Sequence, residues 1–153
     1  TLSVVNFTET QMLINKSVPP KSTTLHSRAA MMKIAQIIAL EETAGALITG
    51  EALSQVASQT MESLRFTNSA VFLPVFRPLI GMDKEEIIKI SRDLGLFDIS
   101  TLPFDDCCTL FSPEHPLIRP EFDLVETEHA AIEGLNDHLI RAAAGRNNIY
   151  FSS

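Results

Sequence analysis

No apolar run in this chain approaches the roughly 20 residues that a membrane-crossing helix needs. The N-terminus also lacks the basic, then apolar, then small-residue order of a secretory signal. A soluble, cytoplasmic protein is therefore expected. Cysteine is scarce. The two present, Cys107 and Cys108, are adjacent and cannot build a disulfide framework, which leaves them a chemical or a packing role. Positive charge is short as well: 12 Lys and Arg against 19 Asp and Glu give a net charge of −7, which argues against a nucleic-acid-binding surface on these residues.

What is present suits one globular domain spanning residues 1–153, with 45% apolar and 20% charged residues and enough length to bury a core. The most informative stretch runs from Leu47 to Thr60. Ala46 to Ile48 reads as a buried strand, Gly50 as a sharp turn, and Leu53, Val56, Ala57 and Leu64 recur at helical spacing. In an open parallel sheet, a strand end running into a helix N-terminus is where ligands bind, because backbone N–H groups and the helix dipole favour an anion such as phosphate. The turn at Gly50 is thus a candidate site. The alternative is an ordinary strand-to-helix turn with Ser54, Gln55, Ser58 and Gln59 on a solvated helix face.

Along the chain, Leu2 to Phe7 reads as a strand and Asn15 to Thr24 as a loop with Pro19 and Pro20. Ser27 to Thr43 reads as a helix with Met31, Ile34, Ala35, Ile37 and Ile38 on its apolar face, closed by Gly45. Val71 to Phe76 is a second apolar segment that Pro74 splits or moves to an edge. Asp83 and Glu86 form a capping box for a helix with Ile87, Ile88, Ile90 and Leu94 facing inward, ended by Gly95. A last helix is expected from Phe122 to Ala144, with Gly145 as its cap and the acidic residues from Asp123 to Glu133 on a solvated face. Three successive strand-helix units predict an α/β fold with an open parallel sheet and flanking helices. The histidines show no ligand spacing, no metal site is expected, and His129 and His138 read as surface or partly buried.

Three blocks carry a resemblance: Ile48-Thr49-Gly50-Glu51 with Gln55 to Thr60, then Arg77-Pro78-Leu79-Ile80-Gly81-Met82-Asp83-Lys84, then Asp106-Cys107-Cys108 with Pro113. Their order and spacing resemble the bacterial tRNA 4-thiouridine synthases, also called thiamine and thiouridine biosynthesis sulfurtransferases, over about Phe7 to Pro116. The resemblance implies a Rossmann-like PP-loop ATPase fold of the adenine nucleotide alpha-hydrolase superfamily. It further implies an enzyme that adenylates a tRNA uridine at its carbonyl oxygen and then lets sulfur, delivered as a persulfide by a cysteine desulfurase, displace AMP. The family's Ser-Gly-Gly-x-Asp-Ser loop, which holds the ATP pyrophosphate, does not occur in these 153 residues. The chain therefore resembles the second half of the catalytic domain, incomplete at its N-terminus and expected to be inactive alone.

Carried over residue by residue, the resemblance implies ATP contacts at Arg28, Gly50 and Gln59 and a reactive thiol at Cys108, with ATP and Mg2+ as cofactors. It implies tRNA and a cysteine desulfurase as partners, and an open sheet edge predicts a homo-oligomer. Arg28 is expected in the first turn of its helix and Gln59 on the polar face of the helix after Gly50, while Arg77 stands at a strand end where RNA or phosphate would meet it. Asp105 and Asp106 oppose thiolate formation at Cys108, because nearby negative charge raises a thiol pKa. Two other readings are a non-catalytic α/β association module and another PP-loop ATP-dependent synthetase.

Overall fold

The computed structural model describes residues 1–53, 59–104 and 116–151. The expected helical positions Val56 and Ala57, and both cysteines, lie outside the described residues. Strand β1 (Leu2–Val4) leads into helix α1 (Thr8–Ser17), and a short 3-10 turn (Pro20–Ser22) opens helix α2 (Thr23–Glu41). Strand β2 (Leu47–Ile48), helix α3 (Met61–Ser69) and strand β3 (Val75–Phe76) follow, then helices α4 (Lys84–Asp93) and α5 (Phe97–Ser100). Helices α6 (Phe122–Ala130) and α7 (Leu135–Ala144) and strand β4 (Asn147–Ile149) complete the described order.

The long helix α2 is the centre of the molecule. Ala30 and Ile34 pack with Ile14 of α1 and with Leu135, Leu139 and Ala143 of α7, whereas Leu25 and Ala29 pack with Phe66 of α3 and Val125 of α6. Met32 and Ala39 meet Leu47 of β2. Ala29 and Ala30 are wholly buried, and side chains this small let neighbouring elements approach the helix axis closely. Gln36 of α2 accepts hydrogen bonds from the N–H groups of Phe72 (2.7 Å) and Leu73 (3.0 Å), which fixes the approach to β3.

β2 and β3 pair in parallel with Leu47 opposite Val75 and Ile48 opposite Phe76, so the expected α/β unit around α3 is present. The sheet is smaller than expected. β1 does not join it but pairs antiparallel with β4, Leu2 opposite Ile149, bringing the two ends of the described chain together. The strand predicted to run to Phe7 stops at Val4, because Thr8–Ser17 form α1, a helix absent from the sequence reading. Pro74 lies just before β3, where its carbonyl accepts from the Leu47 N–H at 2.8 Å, so the segment is split at the proline as expected.

Several boundaries differ for identifiable reasons. Helix α2 begins at Thr23 and closes before Gly45: Thr43 takes the left-handed conformation (φ 56°), and bonds from Thr43 N–H to Leu40 O and Ala44 N–H to Ala39 O form the closing turn. Helix α3 begins only at Met61, with Thr60 as its N-cap accepting from the Ser63 N–H. The expected long terminal helix is two helices broken at Gly134 (φ 73°), while Gly145 caps the second as predicted. Asp83 and Glu86 form the full capping box of α4, and Gly95 (φ 68°) ends it. The inward face of α4 is a correction: no residue of that helix is buried, and Leu94 is 66% exposed. An amphipathic pattern states that a face is apolar, not that this chain covers it.

A polar chain lies between α2, α3 and α6. His26 is completely buried; its Nε2–H donates to Glu128 at 3.0 Å, and its Nδ1 lies 3.2 Å from Nδ1 of His129. The rings of His26 and His129 stack, with Phe66 edge-on to both. Glu128 is thus an exception to the solvated acidic face. Since His26 donates from Nε2, its Nδ1 accepts, and His129 must donate from Nδ1; this leaves His129 Nε2 as a buried acceptor with no partner among the described residues. Burial lowers the His26 pKa against the opposing pull of Glu128. Burial, then His26, then Lys33 lower that of His129 to about 4.

Because both histidine pKa values are depressed on folding, the folded chain binds fewer protons than the unfolded one at mildly acidic pH. Stability is then full above pH ~6.5 and falls as pH drops toward about 4. Urea midpoints across that window should decline, and His129→Gln should flatten the decline; an equally steep profile in the variant would contradict the assignment. Thr43→Gly should raise stability by about 1 kcal/mol, since glycine occupies the left-handed region without the Cβ clash, as read from the thermal midpoint.

Candidate functional site

Beyond the carboxyl ends of β2 and β3 the chain stays paired: the Thr49 N–H donates to Phe76 O at 3.0 Å and the Leu53 N–H to Ile80 O at 3.2 Å. Between these two bonds lies Glu51, only 8% exposed, whose carboxylate gathers the surrounding side chains. Oε1 accepts from Nη2 of Arg28 in the second turn of α2. Oε2 accepts from Nε of Arg77, the residue after β3, at 2.7 Å and from the hydroxyl of Thr49 at 2.9 Å. Arg77 Nη1 donates further to Asn68 of α3 at 3.1 Å. These are charge-assisted bonds in a largely dry setting, where geometry is held firmly and loss of one partner is costly.

The sequence candidates converge on this segment. Arg28 is bonded to Glu51, Gly50 directly precedes Glu51, and Gln59 Oε1 accepts from the Ala52 N–H at 3.1 Å. Two placements are corrected: Arg28 is one turn deeper in its helix than expected, because α2 starts at Thr23, and Gln59 precedes the N-cap of α3 rather than lying on a helix face. With its oxygen anchored by Ala52, Gln59 has its amide N–H groups to offer to a ligand as donors. Cys108, with Cys107, Asp105 and Asp106, lies outside the described residues. Glu51 and its support from Thr49 and Asn68 were missed as organisers. The available signal was a carboxylate three residues beyond a strand, in a chain with an arginine just after the next strand.

Two observations test whether a nucleotide fits. Nη2 of Arg77 is buried without a hydrogen-bond partner among the described residues, a donor that a phosphate oxygen would satisfy. The sharp turn expected at Gly50 is not formed: residues 49–52 run on from β2 without a turn, Gly50 does not adopt a positive φ, and a Cβ built there meets nothing within 4 Å among the described residues. What the glycine supplies is open space beside the backbone, which suits close approach of a ligand. ATP is compatible with both features.

The arginine and carboxylate cluster stands at the carboxyl ends of paired parallel strands in a chain of the α/β class, the place where open parallel sheets take their ligands. The family model described as Thiamine biosynthesis protein (ThiI) matches residues 1–133, and the chain belongs to that family. It is 54% identical over 124 residues to the "Probable tRNA sulfurtransferase" of Thermoanaerobacter pseudethanolicus, covering 81% of this chain and 33% of that protein. The protein of the same name from Lachnoclostridium phytofermentans is 48% identical over 142 residues, covering 93% of this chain and 36% of the relative. Among solved structures, the chain is similar to that of a 4-thiouridine synthetase in complex with RNA and bound ATP, with a TM-score of 0.89 and 37% identity, over 95% of this chain and 38% of the other. The chain thus spans about a third of the length of the curated relatives it matches.

The open space at Gly50 makes a direct prediction. Gly50→Ala should change folding stability by no more than about 0.5 kcal/mol, measured by denaturant titration, because the added methyl meets no atom of the described residues. A loss of several times that size would mean that the glycine serves the fold.

Proposed function

We propose that this chain is the C-terminal part of the PP-loop ATPase domain of an ATP-dependent tRNA sulfurtransferase that forms 4-thiouridine and serves sulfur transfer in thiamine biosynthesis. The observation that carries the reading is the convergence of Arg28, Gly50 and Gln59 on residues 49–52 at the carboxyl ends of β2 and β3. The relatives named tRNA sulfurtransferase and the ATP- and RNA-bound synthetase support it. In this reading the fold is the Rossmann-like one of that superfamily and its setting is cytoplasmic. Bound ATP, with Mg2+, supplies activation of the uridine carbonyl oxygen.

The roles of the residues follow from their chemistry. Arg28 meets the nucleotide as a fixed cation, Gly50 lets it approach the backbone, and Gln59 donates from its amide to base or ribose. Arg77 offers its buried Nη2 to an anionic group. The Cys108 thiolate attacks the outer sulfur of the persulfide brought by a cysteine desulfurase, so that the donor's S–S bond breaks, the desulfurase thiolate leaves and Cys108 carries the persulfide; tRNA binds mainly through other parts of the whole protein. The exposed apolar side chains Ile48 and Phe76 on the paired strands favour assembly with further protein, including a second copy.

In the complete protein, Cys108→Ser should abolish or sharply reduce thiouridine formation while ATP and tRNA binding persist, because only the nucleophile is removed. Cys107→Ser should do much less, and near-normal turnover in Cys108→Ser would end the assignment. The 153 residues by themselves should bind ATP with a dissociation constant of millimolar order, roughly 4 kcal/mol, since the pyrophosphate-holding loop is not among them. Micromolar binding by calorimetry would contradict this. Dependence of turnover on tRNA, rather than on a small-molecule acceptor, separates the proposal from another ATP-dependent synthetase; an association module would show neither activity.

A further inference from the structure

The group around Glu51 joins parts of the chain that no local rule brings together. Arg28 comes from α2, Thr49 from the end of β2, Arg77 from the end of β3 and Asn68 from the last turn of α3. The two carboxylate oxygens are divided between the arginines: Oε1 takes Arg28, and Oε2 takes Arg77 together with the Thr49 hydroxyl. Thr49 and Arg77 thereby fix the carboxylate from one side, and the carboxylate presents its other oxygen to Arg28.

An arginine side chain has four rotatable bonds, and orienting it when a ligand arrives costs binding free energy. A buried carboxylate already bonded to one guanidinium nitrogen reduces that cost. It also keeps a guanidinium tolerable in a dry setting, because an isolated buried charge would be expelled toward solvent. The geometry points to Glu51 as a positioning residue: it sets the Arg28 guanidinium at the carboxyl end of β2 for nucleotide binding, and Thr49 sets Glu51. This inference rests on the reading of Arg28 as a nucleotide contact. Glu51 acts through Arg28 and does not itself meet ATP, whose phosphates its charge would repel.

The test is steady-state kinetics of thiouridine formation by the complete enzyme, with ATP and tRNA varied separately. Glu51→Gln keeps the shape of the side chain and removes its charge. It should raise the ATP KM about tenfold, the size expected for loss of a charge-assisted bond, while the tRNA KM stays within about twofold. Added to Arg28→Ala, it should raise the ATP KM by clearly less than the roughly tenfold seen in the parent, because the part that acts through Arg28 is already lost and only the hold on Arg77 remains. The inference is overturned if a folded Glu51→Gln enzyme keeps its ATP KM, if the ATP and tRNA constants rise together, or if the two substitutions multiply. An unchanged ATP KM in Arg28→Ala alone would instead remove the nucleotide reading of Arg28, and this inference with it, so the two failures are distinguishable. Should Glu51→Gln not fold, Thr49→Val decides: it removes one bond to Oε2 and should raise the ATP KM about threefold in the parent enzyme but not in Arg28→Ala. No rise in the parent overturns the inference.

Discussion

Burial of α2 on several sides is the constraint on which the rest of the structure depends. A surface helix hides one stripe, but α2 contributes to all three apolar clusters, through Ala30 and Ile34, Leu25 and Ala29, and Met32 and Ala39. Helices α1, α3 and α7 and strand β2 all pack against this one element. With Gln36 also bonded to the backbone at Phe72 and Leu73, the approach to β3, and so the short strand that leads to Arg77, is set relative to the same helix. Arg28 and Arg77 can therefore reach one carboxylate: both are referred to α2, one directly and one through β3.

The interior is unusually polar for so small a core. His26, Thr10, Thr23, Ser22, Ser63 and Thr67 are all essentially inaccessible. Most such groups find partners nearby, as the Ser22 hydroxyl does at Pro19 O and the Thr67 hydroxyl at Leu64 O. The chain from Glu128 through His26 to His129 does more, because each bond dictates the next tautomer and so selects one registry of α6 against α2. Glu51 plays the corresponding part at the strand ends. In both places a carboxylate removed wholly or partly from solvent contributes specificity of arrangement, with desolvation offsetting much of the attraction.

The candidate site was legible where its signal is local. The end of the apolar run before Gly50 marked the end of β2, although no sharp turn forms there, and the blocks around it and around Arg77 were specific enough to suggest the family. The capping box at Asp83 and the closing glycines Gly95 and Gly145 were readable for the same reason, since each is written within a few residues. Glu51 was not, because nothing within its own neighbourhood announces two arginines, 23 and 26 residues away in either direction along the chain. Thr43 was missed on the opposite ground: local preference named Gly45, and tertiary packing of Ala39 and Leu47 made the chain turn earlier, at a residue that tolerates the left-handed region poorly.

The sequence by itself determined the α/β class, the capping box at Asp83, the closing glycines Gly95 and Gly145 and, through its three blocks, the family. These properties depend on short-range sterics, hydrogen bonding between close neighbours and hydrophobic periodicity, all of which are carried in order along the chain. Only the tertiary structure decided that β1 pairs with β4, that α2 is central, that the final helical stretch breaks at Gly134, and that Glu51 joins Arg28 to Arg77. Those outcomes depend on which surfaces meet, and an apolar face or a charged side chain specifies the chemistry of its partner but not its place in the chain.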